Sequence, residues 1–265
     1  MPTGPGYNPA RRNRNIGTAA QGHGADNRLT IPWPANEERV RYETLGAHRR
    51  LKVMVQGVEM LFVVEANSGG CVHPCSVADV VEILKGLPRT DWSDLAAIVL
   101  RQPRRKERIL SPVWGRFAYS ASLGARGRPL FALGPTVFLE AVDLARPIEW
   151  SVGLDPEDQQ ELERLAADGH AVRREGGRWR IEVTAASARA TQLYRTLPHE
   201  IGHHVDWLTK VERAPAGVGT WEEREEAFFA RPRQEREAFA HRYAETAMKG
   251  PRAAGFVPFE PLTDA

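Results

Sequence analysis

His199-Glu200-Ile201-Gly202-His203 places two imidazoles four residues apart with a carboxylate between them. On a helix this spacing stacks His199 and His203 on one face, where both rings can reach a single metal ion. Glu200 is then placed to take the proton of a water on that metal, the division of labour that metal-assisted hydrolysis needs. The flanks fit a helix with one buried side. Ile201, Val205 and Leu208 recur at helical spacing and are expected to face a core, beside a stripe of His199, His203 and Asp206. Gly202 costs a helix about 1 kcal/mol relative to Ala, so it marks a point where another backbone comes close. Asp206, one turn beyond His203, is a candidate to hydrogen-bond near the site and fix a ligand tautomer. His204 falls off the ligand stripe and is read as packing or solvent-facing. Pro198 admits two beginnings: it opens the helix in its first turn with Thr196 as cap, or it kinks a longer helix starting near Ser187.

A catalytic zinc site needs a third protein ligand and an open position for water. A third His nine or ten residues on is excluded by inspection, since Asp206 and Thr209 stand where the metzincin pattern needs Gly and His. A Glu from a later helix is the other solution, and the segment Glu235–Glu245 offers two candidates, Glu235 and Glu237. Pro232 suits the first turn of that helix, and Gly250-Pro251 is expected to close it. Glu237 shares its face with Ala240 and Ala244, small residues that let the helix lie close to the His-bearing one. It also has His241 one turn on, able to support the ligands. Glu235 shares its face with Phe239 and Arg242, a poorer metal-facing stripe, so Glu237 is favoured.

HEIGHHVD over 199–206 followed by EAFAHRYAE over 237–245 resembles the zincin-like metallopeptidases of gluzincin type, and most nearly the catalytic domain of anthrax-lethal-factor-type peptidases. The resemblance covers the last third of the chain and rests on these two short motifs. It implies one Zn²⁺ held by His199, His203 and Glu237, with Glu200 as general base. The same pair resembles the peptidases that cleave phage or stress-response repressors, but the Asn that usually follows their ligand Glu and Ala is absent. Lethal-factor-type sites also imply a Tyr upstream of the ligand Glu as transition-state donor. Phe228 and Phe229 occupy that neighbourhood here, which leaves Tyr194, Tyr243 and His241 as open replacements.

The 265 residues carry a net charge of +2, with 42% hydrophobic and 26% charged residues. That composition is ordinary for a globular protein and implies no bulk attraction to nucleic acid or membrane. No apolar run is long enough for a membrane span and the N-terminus lacks a secretory h-region, so cytoplasmic residence is the default expectation. Only two Cys occur, in Cys71-Val72-His73-Pro74-Cys75. Their spacing is not that of a usual zinc site, and the expectation is a turn with incidental thiols.

Along the chain, residues 1–30 are rich in Gly, Pro, Asn and Arg and are expected to be a disordered tail. A β-hairpin is expected about Gln56-Gly57, a helix from Val77 to Lys85 capped by Ser76, and strands over 96–100, 114–122 and 135–144. Arg101–Arg108 reads as a solvated basic loop. Asp155-Pro156 opens a helix that Gly169 closes, and a second hairpin turns at Gly176-Gly177. The expected fold class is α+β and zincin-like, a mixed sheet packed on the active-site helix and a second ligand-bearing helix. The domain expectation is a tail over 1–30, an accessory α/β segment or small domain over 31–90, and the peptidase domain over 91–265.

The function expected from these readings is a zinc-dependent endopeptidase acting on a peptide or protein substrate, which an exposed sheet edge beside the cleft can bind by strand addition. Two rivals stand beside it. One is a non-catalytic metal-binding protein of the same fold, against which the retained Glu200 argues. The other is a nucleic-acid-associated regulator using the Arg-rich tail and Arg101–Arg108, which the balanced charge weakens.

Overall fold

Six strands make the main sheet, and its hairpin shows how local chemistry sets the turns. Strands β1 (Val40–Leu45), β2 (His48–Val55) and β3 (Val58–Glu65) come first. β2 and β3 pair antiparallel about Gln56-Gly57, whose φ angles of 47° and 77° are the left-handed pair that a two-residue turn needs. The computed structural model describes residues 40–104, 107, 113–125 and 131–264, which belong to one compact unit, Glu37–Ala265. The tail expected over 1–30 lies outside the described residues.

After the short β4 (Cys71–Val72) come β5 (Ala97–Arg101), β6 (Gly115–Ala125) and β7 (Phe131–Glu140). β3, β5 and β7 run parallel, β6 is antiparallel to β7, and β1 is parallel to β6. The order is β1-β6-β7-β5-β3-β2, a mixed sheet in a mixed α/β protein. All of β5 is buried, as suits a central strand covered on both faces. Because β3 bonds directly to β5, a boundary at residue 90 does not divide the fold. Strands β1, β2 and β3 before it belong to the same sheet as β5, β6 and β7.

Helix α1 (Val77–Gly86) starts where expected, with Ser76 and Asp79 closing a reciprocal capping box. β8 (Val142–Asp143) pairs with β4. β9 (Ile148–Ser151), β10 (Ala171–Glu175) and β11 (Arg178–Glu182) form a three-stranded sheet, with helix α2 (Pro156–Ala167) capped by Asp155. Beyond it α3 (Ala185–Thr191), a π-helical turn (Gln192–Thr196), α4 (Leu197–Trp207) and a second π turn (Leu208–Glu212) follow without a break. Thr184 caps this rod through Ser187, while Thr196 is itself helical and makes no side-chain cap. Of the two beginnings that Pro198 admits, the longer helix is the one formed. Proline has no N–H to give the Tyr194 carbonyl one turn back. The π turn absorbs the mismatch, and Arg252 Nη2 donates to that carbonyl at 3.4 Å.

Two helices complete the chain, α5 (Trp221–Ala230) and α6 (Arg233–Ala253). Pro232 stands at the cap of α6, just outside its first turn. Gly250-Pro251 does not close the helix, which runs on to Ala253 with Pro251 inside its last turn. Leu197 and Ile201 of α4 are fully buried against a core that includes Phe117, Val137 and Leu139 of β6 and β7. The sheet thus fixes α4, and α4 fixes α6.

The basic stretch beginning at Arg101 departs from expectation. Arg101 is 1% exposed, not solvated. Its Nε donates to Glu140 at 3.0 Å, and its other nitrogens lie 2.8 Å from Glu43 and 3.0 Å from Glu107. The carboxylates raise its pKa against the desolvation that would lower it. Burial of a guanidinium is sustainable only because it is paired on several sides.

Candidate metal centre

The site is built where α4 and α6 touch. Gly202 lets them do so: a Cβ there would lie 2.9 Å from the Ala240 Cα and 3.0 Å from its carbonyl oxygen. At that separation His199 and His203, one turn apart on α4, face Glu237 on α6. Glu237 Oε2 lies 3.3 Å from His199 Nε2 and 3.6 Å from His203 Nε2. Its other oxygen takes the Nε of Arg233 at 3.3 Å, which fixes the carboxylate in its plane. Both rings are mostly buried, and Glu237 is 34% exposed at the mouth. Burial opposes the ionised form of Glu237, but hydrogen bonds from His199 and His203 outweigh it and hold the carboxyl well below the usual range.

Glu200 is buried beneath this group. A carboxylate oxygen of Glu200 and one nitrogen each of His199 and His203 lie within 4.8 Å of one another. That places the Glu200 carboxylate within reach of a group held by the two imidazoles, as a general base needs. Burial pushes the Glu200 carboxyl up, the two imidazoles pull it down, and Glu237 adds to the rise. The net shift is upward, so its proton is held more firmly than on an ordinary glutamate.

Glu235, the other candidate for third ligand, points away. It pairs with Arg231 at 3.5 Å and is 59% exposed. His241 does come into the site: its ring centroid is 4.3 Å from that of His199. A nitrogen of His241, one of His199 and an oxygen of Glu237 fall within 4.8 Å of one another. Burial and the neighbouring His199 push its pKa down to about 4. His204 is fully buried against Phe117, which lowers its pKa to about 4. It is a packing residue.

Three candidates are committed elsewhere. Asp206 is completely buried and ion-pairs with Lys210 and with Arg231 Nη1, the latter at 2.8 Å. It ties α4 to the start of α6 instead of orienting a ligand. The Tyr194 hydroxyl accepts from Arg189 Nη1 and from the Phe259 N–H and donates to the Phe259 carbonyl. Tyr243 donates to Asp91 at 2.7 Å, and burial together with that bond raises its pKa. Phe228 and Phe229 pack against Tyr119 and Trp207. Arg231 was not singled out by sequence reasoning; its tie to Asp206 carries no periodic signal.

Cys71 and Cys75 are both buried and form no disulfide, and burial pushes the Cys75 thiol up to about 12, as befits an inert cysteine. Among the described residues no helix is long and apolar enough to cross a membrane. No protein-family model, curated protein or solved structure matches this chain.

Proposed function

We propose that this chain is a zinc-dependent endopeptidase of zincin-like fold, with His199, His203 and Glu237 holding one Zn²⁺ and Glu200 as general base. The observation that carries this reading is the meeting of Glu237 with both imidazoles. Donors around a tetrahedral ion with metal–ligand lengths of ~2.0–2.2 Å stand about 3.3–3.5 Å apart, and the measured separations are 3.3 and 3.6 Å. Two neutral imidazoles and one carboxylate also suit zinc by donor chemistry.

Held by these donors, zinc would lower the pKa of a water in the open position and polarise a substrate carbonyl. Glu200 would take the proton of the attacking water as one O–H bond breaks and a C–O bond forms to the scissile carbonyl carbon. The same carboxyl then gives the proton to the departing amide nitrogen, so the C–N bond breaks with a neutral amine leaving. Among the described residues β1 and β2 are the outermost strands of the sheet, the kind of edge to which an extended peptide can add.

A second reading, a closed four-donor site without catalysis, draws on the approach of His241 to His199 and Glu237. Glu200 weighs against it, because a structural site has no use for a buried carboxylate beside its ligands. The nucleic-acid reading loses Arg101, which is buried in the sheet. The test is zinc content after dialysis. Wild type and Glu235→Ala are expected to keep one zinc per chain, while His199→Ala and Glu237→Ala lose most of it. Loss in Glu235→Ala with retention in Glu237→Ala would overturn the ligand set.

A further inference from the structure

We propose that His241 is the positioning residue of this centre, accepting a hydrogen bond from Nδ1–H of His199 and thereby fixing the Nε2 lone pair on the metal. The inference rests on the metal site proposed above. It begins with a bonding account. An imidazole that binds through Nε2 carries its proton on Nδ1, and ligating histidines hand that N–H to an acceptor. Nε2 of His199 is the nitrogen that faces Glu237. Its Nδ1 is buried and has no hydrogen-bond partner. A buried donor left unpaired is rarely tolerated, so an acceptor is required.

The other polar groups weighed for the site do not supply one. Asp206 is taken by Lys210 and Arg231, Tyr194 by Phe259 and Arg189, and the Tyr243 hydroxyl by Asp91. His241 remains, with its ring 4.3 Å from that of His199 and tilted by 50°. Helical spacing explains its presence. Glu237 and His241 are one turn apart on α6, so the face that offers the third ligand offers His241 beside it. The close approach of Gly202 and Ala240 sets the distance between the helices. The inferred hydrogen bond requires the His241 ring, whose χ2 torsion is broad, to turn so that its unprotonated nitrogen faces Nδ1.

The experiment measures zinc affinity by competition with a chromophoric chelator, on the full chain, for wild type and His241→Ala, →Phe and →Asp. Loss of such an acceptor costs about 10- to 100-fold in metal affinity. Weakening of that size is expected for Ala and equally for Phe, which keeps the packing but cannot accept. Asp, which can accept, should restore binding to within a few-fold of wild type. If Phe restores affinity and Asp does not, the role is packing and the proposal fails. Affinity unchanged in all three variants also overturns it. X-ray absorption on the zinc-loaded protein separates the remaining case: two imidazoles are expected in both wild type and His241→Ala, and a fall from three to two would make His241 a ligand. Wild-type protein that binds no zinc, or zinc retention unaffected by His199→Ala, would remove the metal site itself.

Discussion

Around Arg101 the sheet buries one guanidinium among Glu43, Glu107 and Glu140, whereas between α4 and α6 the converging atoms are all lone-pair donors. These are Nε2 of His199, Nε2 of His203 and Oε2 of Glu237, with Glu200 buried beneath them. The first group is completed within the protein, where Arg41 also pairs with Glu43 and Arg116 with Glu140. The second gathers carboxylates and imidazoles that a divalent cation would satisfy together. Burial of titratable groups is common to both, so burial alone does not mark a reactive site. What distinguishes the two is donor chemistry: at Arg101 carboxylates surround a permanent cation, whereas Glu237 meets imidazoles whose nitrogens can either donate to it or bind a cation together with it.

The comparison breaks first at Arg101. Arg101→Met should leave Glu43 and Glu140 buried without their main partner and cost about 3–5 kcal/mol of stability. Zinc content of the folded fraction should not change. Urea unfolding with metal analysis checks both halves, and loss of zinc without loss of stability would show that the two regions are not independent.

A smaller effect is expected at Gly202. Helix propensity alone favours Gly202→Ala by about 1 kcal/mol. The added Cβ, however, would meet the Ala240 backbone at 2.9 and 3.0 Å, and overpacking of this kind costs about 1–3 kcal/mol. Net destabilisation is expected, together with weaker zinc binding as α6 and Glu237 are pushed away from the histidines. A stabilised variant with unaltered zinc affinity would mean that the helices do not rely on this contact.

The parts of this architecture visible in the sequence are those governed by neighbours along the chain. Gln56-Gly57, the Ser76 cap and Asp155-Pro156 act within a few residues, and the structure has each in its expected place. That Glu237, and not Glu235, faces the histidines was readable because the small residues Ala240 and Ala244 mark one face of α6. Arg101 was not readable: a charge run says nothing of the Glu140 that arrives from another strand. Asp206, Tyr194 and Tyr243 were misplaced for the same reason. Apart from Lys210, one turn beyond Asp206, their partners Arg231, Phe259 and Asp91 lie far off in sequence, and periodicity carries no trace of such distant pairs. The continuation of α6 through Pro251 shows a local stop signal overridden near a helix end, where a lost hydrogen bond costs least.

Chemistry at the centre is tested most directly by Glu200→Gln, which keeps the shape of the side chain but removes the proton acceptor. The measurement is a cleavage time course on a diverse peptide library, with wild type and variant brought to equal zinc occupancy. Wild type should hydrolyse peptides, and the variant should be slower by about 10²–10⁴-fold with zinc and fold retained. Hydrolysis by the Gln variant at the wild-type rate, or none by either protein at full zinc loading, would contradict the assignment of Glu200 as base of a zinc peptidase.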